Sequence, residues 1–488
     1  MASIQFFFAV QAVRRESLEQ RQLLANTIQV TIPVQVVSIS AKTLQDTAVS
    51  FRLHDVVGTL TATGENLAAQ TVGNTVNITG TVSEFNDLSL TTTTALSSIA
   101  VSSTVVDFPL GSFESMGPMK MIDLRPLSLN GNVSMLAAPK VQLGDGKAAT
   151  INISQEIPFL NFTGGNFSNS LINFTAANPT AKAPVLSMKF NNLIDTHLNV
   201  QQFIKTLNLR SVAESTAGAS GITANSAFAI GVASDFKADL TFKPTFGLRY
   251  TLDNYHVGGT ASGRWTVPGA TRLGYANLYD SGYVGNFGSI GGYAVGKDFS
   301  GALTAGSIGT AFIGHDMLNG SMMLTNNYAA NSWNLGSISV GSTIENSTIT
   351  SNGNLGTITT MYTYYSRIQA GLSSSYVFGQ PLTMGSYSSN SVIKSFTSDC
   401  PSHHYTHFVG SYVGASDLQY VHLGNTQINN YNNPFGLAGV RMDRLSLLLN
   451  GKAVNMKSLT GIASLDAALR DLGLTEQDWE DFKFKFLY

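Results

Sequence analysis

The chain has 488 residues, a formal net charge of −2 and one cysteine, Cys400. It is 43% hydrophobic, so it can bury a core, and only 12% charged, about half the usual share. These values argue against a disordered chain, and one cysteine excludes an intrachain disulfide. No basic patch interleaved with aromatics points to nucleic acid, and no apolar run reaches the roughly eighteen residues of a membrane-spanning helix.

Residues 1–27 read as a leader with a short charged helix from Gln11 to Ala25. Phe6-Phe7-Phe8-Ala9-Val10 stands before Arg14-Arg15, the reverse of the order in a secretory signal. Residues 28–262 form a strand-rich half. Val57 to Thr61, Val76 to Thr79, Leu88 to Leu90, Leu171 to Phe174 and Leu186 to Phe190 alternate apolar with small polar residues, the period of a half-buried strand. Irregular solenoid coils fit this half; a β-sandwich or barrel gives the same evenly spaced strands. Leu198 to Leu209 reads as strand or helix, and Ala213 to Ala229, rich in Ser, Ala and Gly, reads as a loop.

Residues 263–460 carry a sharp repeat. Leu335-Gly336-Ser337-Ile338 returns as Leu355-Gly356-Thr357-Ile358, and Asn346-Ser347-Thr348-Ile349 returns as Tyr365-Ser366-Arg367-Ile368. A period of about twenty with short strands and small turn residues is the signature of a β-solenoid, each repeat one coil on the last. The fold class expected is all-β: a parallel β-helix, right-handed as parallel crossovers generally are. Residues 461–488 read as a helical cap over the last coil. Leu465, Leu469 and Leu472 lie on one helix face, Gly473 serves as the stop, Thr475 caps a second short turn, and Phe482, Phe484 and Phe486 alternate with Lys483 and Lys485 as a final strand.

The segments SGRWTVPG, SGALTAGSIGT, LGSISVGSTIENSTITSNGNLGTIT and YSRIQAG, over about residues 263–395, resemble the coils of planctomycete-type secreted β-solenoid proteins. The leader RRESLEQRQLLA (Arg14 to Ala25) and the late DLQYVHLGNTQINNYNNPFGLAG resemble the same group. The resemblance implies a solenoid fold and an extracellular or cell-surface location. It implies no catalytic residues.

Polysaccharide-active parallel β-helices set the chemistry to look for. Asp280, Asp298 and Asp316 are spaced by about one coil, with His315 beside the last. Stacking would line them up, and paired carboxylates are a glycosidase device; solvated turn residues are the plain alternative. Cys400, His403, His404 and His407 fall within one short segment and offer ligand types that Zn²⁺ or Cu²⁺ accepts; an exposed polar loop is the plain alternative. No phosphate loop, dinucleotide fingerprint or nucleophile elbow is present, and no cofactor is expected. Tyr362, Tyr364, Tyr365 and Tyr387 offer faces on which sugars stack. The function expected is a non-enzymatic surface scaffold, adhesive or structural, whose partners are cell-surface polysaccharide or another surface protein. The alternative is a polysaccharide lyase or hydrolase of the pectate-lyase-like class.

Overall fold

The computed structural model describes residues 25–486 apart from 44–45, 95, 105–106, 137, 155–159, 176–185, 244–250, 282–283, 327–331, 373–382, 384–385, 388–389, 402–404, 450–451 and 475–478. At residue 25, along 268–281 and 284–286, and at residues 462, 465, 466 and 469, it describes the backbone alone. The expected leader helix and the Thr475 cap lie outside the described residues; residues 25–27 begin a strand, Ala25–Ile32. The chain is all-β, and the helix Ile462–Asp471 is the one α-helix among the described residues. It divides into two compact units, Met1–Ala224 and Asn225–Tyr488.

The first unit opens with antiparallel strands. Ala25–Ile32 pairs with Val56–Val72, and that strand pairs with Thr75–Thr92. From Phe108–Met116 onward successive coils stack in parallel. One ladder carries Phe113, Val133, Ile151, Ile172 and Leu198 in register. A second carries Ile122, Val141, Phe162, Met188 and Leu207. A third carries Leu129, Gly146, Phe167 and Leu193. This is a three-sided β-solenoid coil rather than a sandwich or an up-and-down barrel. Every one of those apolar side chains is buried. Phe162, Phe174 and Phe190 also meet at ring-centroid distances of 5.4 and 5.2 Å, a packing gain beyond area alone.

Two readings are settled here. Leu198 to Leu209 belongs to the strand His197–Ala213. The loop expected over 213–229 is confined to its first part, because Gly221–Val232 is a strand. Its Ile222, Ala224, Ala227 and Ile230 are buried, so residues that look like loop composition belong to the core.

In the second unit the repeat copies found in the sequence stack directly on one another. Leu335 pairs with Leu355 and Ile338 with Ile358; Ile349 pairs with Ile368. One buried column runs Ile308, Leu335, Leu355, Ile393, Leu418, Met442. Each fully buried Leu or Ile stabilises by roughly 1.5–3 kcal/mol. None of these faces could be covered within a single coil, which is why stacking and burial are one event.

The corner of the coil has its own chemistry. A residue in the left-handed region precedes a buried small residue: Asn319, Asn346 and Tyr365 have φ of 53°, 47° and 49°, and Gly320, Ser347 and Ser366 follow them. The tight turn leaves the next backbone N–H pointing along the stack. Gly320 N–H donates to Ser347 Oγ (2.9 Å), Ser347 N–H to Ser366 Oγ (3.1 Å), and Ser366 N–H to Ser411 Oγ (2.9 Å). Each hydroxyl in turn donates to the carbonyl two residues back, as from Ser347 to Glu345 and from Ser366 to Tyr364, both at 2.7 Å. The first unit repeats the device with Ala149, Ser170, Thr196 and Ser220.

The far end of the stack departs from the expected helical cap. The strand Lys452–Leu459 lies antiparallel on Arg441–Leu449, and Phe482–Phe486 lies parallel on Phe435–Gly439. The helix Ile462–Asp471 forms where the leucine spacing put it, but Leu472 is 40% exposed and the pairing positions belong to strands. Lys452, Asn455 and Lys457 point to solvent from that last strand, and edge lysines discourage pairing with other chains.

Replacing Ser366 by Ala removes the acceptor of a buried N–H and should lower unfolding stability by about 1–3 kcal/mol in guanidinium titrations. Ser337→Ala, on the outward side of its strand, should stay within about 0.5 kcal/mol. Equal midpoints for both variants would show that the corner ladder carries no weight.

Candidate functional site

The sequence-derived residues fall at two places in the second unit. At the first, Asp298, His315 and Asp316 converge, with one potential ligand atom from each within 4.8 Å of the others. His315 Nδ1 lies 3.1 Å from Asp298 Oδ1 and 2.9 Å from Asp316 Oδ2. Coil stacking therefore does align these two carboxylates. Asp280 sits in the strand Arg264–Ser281, paired with Thr260, and its side chain lies outside the described residues.

Both carboxylates already hold backbone. Asp298 Oδ1 accepts Asp316 N–H at 3.1 Å, and Asp316 Oδ1 accepts Thr343 N–H at 2.9 Å, each one coil on. The same arrangement recurs at other corners. Asp145 accepts Asn166 N–H at 2.7 Å, Asp235 accepts Thr260 N–H at 2.9 Å, and Asp239 accepts Arg264 N–H at 2.8 Å. The carboxylates are corner fasteners, and His315 bridges two of them at the surface.

At the second place the structure joins two of the four candidate metal ligands. Cys400 is 6% exposed and His407 is fully buried. Cys400 Sγ lies 3.4 Å from His407 Nε2 and 3.3 Å from the Tyr362 hydroxyl. His403 and His404 lie outside the described residues. Asp399 Oδ1 stands 3.4 Å from His407 Nδ1, and its Oδ2 stands 2.9 Å from His422 Nε2. Gly424 makes room for this pair: a Cβ there would come within 2.0 Å of His407 Nδ1 and 2.3 Å of Asp399 Oδ1.

A cysteine, a histidine and an aspartate in line are the parts of a nucleophilic triad, but the proton is on the wrong nitrogen. Asn425 N–H donates to His407 Nδ1 at 2.9 Å. That fixes the proton on Nε2, which then donates toward the sulfur instead of accepting from it. His407 in this tautomer holds a buried thiol in place. The Tyr362 phenol is pushed up to about 12, first by its hydrogen bond to Cys400 and then by burial. Tyr364, whose hydroxyl donates to Thr406 O at 2.8 Å, is raised by burial and by Glu345. Three of the four tyrosines expected as sugar platforms have engaged hydroxyls, Tyr387 through Ala415 O at 3.4 Å, while Tyr365 is exposed at its corner.

Residues the sequence did not single out also matter. Asp417 and Arg441 form a two-pronged ion pair, with Nε–Oδ1 at 3.1 Å and Nη2–Oδ2 at 2.5 Å. They are one coil apart and directly paired, so coil spacing could have found them. They border a cavity of about 390 Å³ that Tyr387 also lines. Asp399 and His422 are also about one coil apart, but His422 pairs with Thr397 rather than with Asp399, which follows the end of its strand.

No protein-family model matches the chain, and neither a curated protein nor a solved structure matches it.

Two outcomes follow from this geometry. Asp316→Ala should destabilise by about 1–2 kcal/mol through the freed Thr343 N–H, whereas Asp316→Asn, which keeps an acceptor oxygen, should retain most of that stability. Equal loss in both would mean that the charge, not the acceptor, is what counts. Spectrophotometric titration of tyrosine should show a late-ionising phenol that moves down toward the ordinary value near 10 in Cys400→Ala. Because the folded value is the higher one, Tyr362 favours the folded state below pH 10, and that contribution fades as pH rises toward 12.

Proposed function

We propose that the chain is a non-enzymatic β-solenoid of the cell surface or extracellular space, acting as a structural and adhesive scaffold. The coils are taken as right-handed. The observation that supports this reading is the outward face of the second unit. Thr310, Ser337, Thr357 and Ser395 are in register on successive coils and face away from the core. Coils repeat about every 4.8 Å, so the face presents hydroxyls as a regular row. The first unit carries a matching row of amides, in which Asn173 donates to Asn152 and Asn199 donates to Asn173, both at 2.9 Å. Rigid rows of neutral donors and acceptors suit a repeating, uncharged partner such as polysaccharide, because little side-chain freedom is lost on binding.

The lyase or hydrolase alternative needs carboxylates free to act on substrate. The two that converge each hold a backbone N–H of the next coil. That supports the scaffold reading over the enzymatic one.

The test is retention on insoluble material. Purified protein should co-sediment with cell-wall preparations or intact cells, and the retention should change little between low and high salt, since the contacts are uncharged. Thr310→Lys with Thr357→Lys should weaken it without changing the unfolding midpoint. A protein that stays in the supernatant with every cell-surface material would remove the adhesive reading.

A further inference from the structure

The coils of the second unit close their corners with very short links. Asn352–Gly353 joins Thr348–Ser351 to Asn354–Thr360, Ala415–Ser416 joins Tyr412–Gly414 to Asp417–Thr426, and Val440 alone joins Phe435–Gly439 to Arg441–Leu449. Two coils depart from this: residues 325–332 stand between Ser321–Leu324 and Trp333–Val340, and a long connection, from Gly371 to Ser391, stands between Arg367–Ala370 and Val392–Ser398. Insertions of this kind gather on one face of a solenoid, often the binding face, and long connections in compact folds are usually functional.

The cavity of about 390 Å³ stands at the corner of the long connection. Its floor belongs to three successive coils. Val392 pairs with Asp417, and Asp417 pairs with Arg441. The floor therefore runs along the stacking direction for about two coil spacings, on the order of 10 Å. One wall is Tyr387, from the end of the long connection. Its backbone bridges to Leu372, and its hydroxyl reaches Ala415 O at 3.4 Å, so the ring is held against the coil. Asn390 adds an exposed amide beside it.

The two charged residues that line this cavity, Asp417 and Arg441, are paired with each other, and a further carboxylate, Asp443, stands outside the lining. Arg441 donates both prongs to Asp417 and stands 3.4 Å from Asp443. A fixed guanidinium–carboxylate plane offers donors and acceptors with no net call for an ionic ligand. An aromatic wall, planar polar groups and an elongated floor together match a sugar chain, whose ring faces are apolar and whose edges are hydroxyls. A cavity of this volume is at the small end of ligand pockets, which run from about 300 to 1,000 Å³.

We infer that the corner cavity between Tyr387 and the Asp417–Arg441 pair is a binding subsite for a short stretch of neutral polysaccharide, one or two sugar units long. The inference rests on the scaffold reading above and gives that scaffold a specific ligand class. The cavity lies at a corner, whereas the row of hydroxyls lies on a strand face, so the two are separable by mutation.

The experiment uses the full chain on an array of neutral and uronic-acid oligosaccharides, followed by calorimetry with the best-bound neutral tetrasaccharide. Tyr387→Ala should weaken that binding by roughly tenfold or more, and Arg441→Gln by a similar factor, with unfolding midpoints close to the parent's. Lys457→Gln, an exposed position on the strand Lys452–Leu459 and outside both the cavity and the hydroxyl row, should leave it unchanged. If neutral saccharides bind and Tyr387→Ala binds them equally well, the subsite is elsewhere and the scaffold reading stands. Preference for uronic acids over neutral sugars would overturn the neutral ligand class. If no oligosaccharide binds, the subsite is refuted; retention on cell-surface material then decides the scaffold reading separately.

Discussion

The architecture depends on one recurring hydrogen bond, from the N–H at a left-handed corner to the hydroxyl of the coil above. Without a partner, each such buried N–H would cost about 1–3 kcal/mol. Gly320, Ser347 and Ser366 show the solution in sequence, each donating to the next small side chain along the stack. The residue at each link has to be small, because it points inward at a tight turn, and has to accept, because a donor faces it. Serine and threonine meet both conditions. The apolar columns provide most of the stabilisation, but this ladder sets where each coil turns and so which residues share a column.

The same logic explains what could be read in the sequence. Where the corner keeps Ser-x-Ile, as at Ser347 to Ile349 and Ser366 to Ile368, the repeat is visible and the predicted copies pair as predicted. In the first unit the corner is filled by Ala148-Ala149, Asn169-Ser170 and Asp195-Thr196, whose φ values of 52°, 50° and 48° are alike while the letters differ. Geometry persists there and spelling does not, so the repeat looks blurred. The antiparallel strands before Phe108 were beyond reach for another reason. Alternation of apolar and polar residues marks a strand but is blind to the direction of its neighbour. Likewise the leucine spacing at the C-terminal end located a helix and not what that helix covers.

Aspartate follows the rule of the serines at other corners. Asp298 and Asp316 looked like chemistry because they recur at coil spacing, and they recur at coil spacing because the backbone needs a fastener there. Periodic carboxylates on a solenoid are thus weak pointers to catalysis. A better pointer is the break in periodicity. Cys400, Asp399 and His407 sit by one irregular connection, and Tyr387 sits by another. The first group closes on itself around a buried thiol; the second leaves a space.

The corner ladder also bears on how such a chain changes length over evolutionary time. Every link donates in one direction and accepts from the other, so a whole turn has the same two ends wherever it is cut. Duplicating or deleting one complete turn leaves the flanking turns with matching partners, whereas an indel of a few residues within a turn shifts the corner and strands both neighbours. Family members built this way would differ by multiples of a turn, with odd-length additions confined to places such as the connection from Gly371 to Ser391, where the corner has already been replaced.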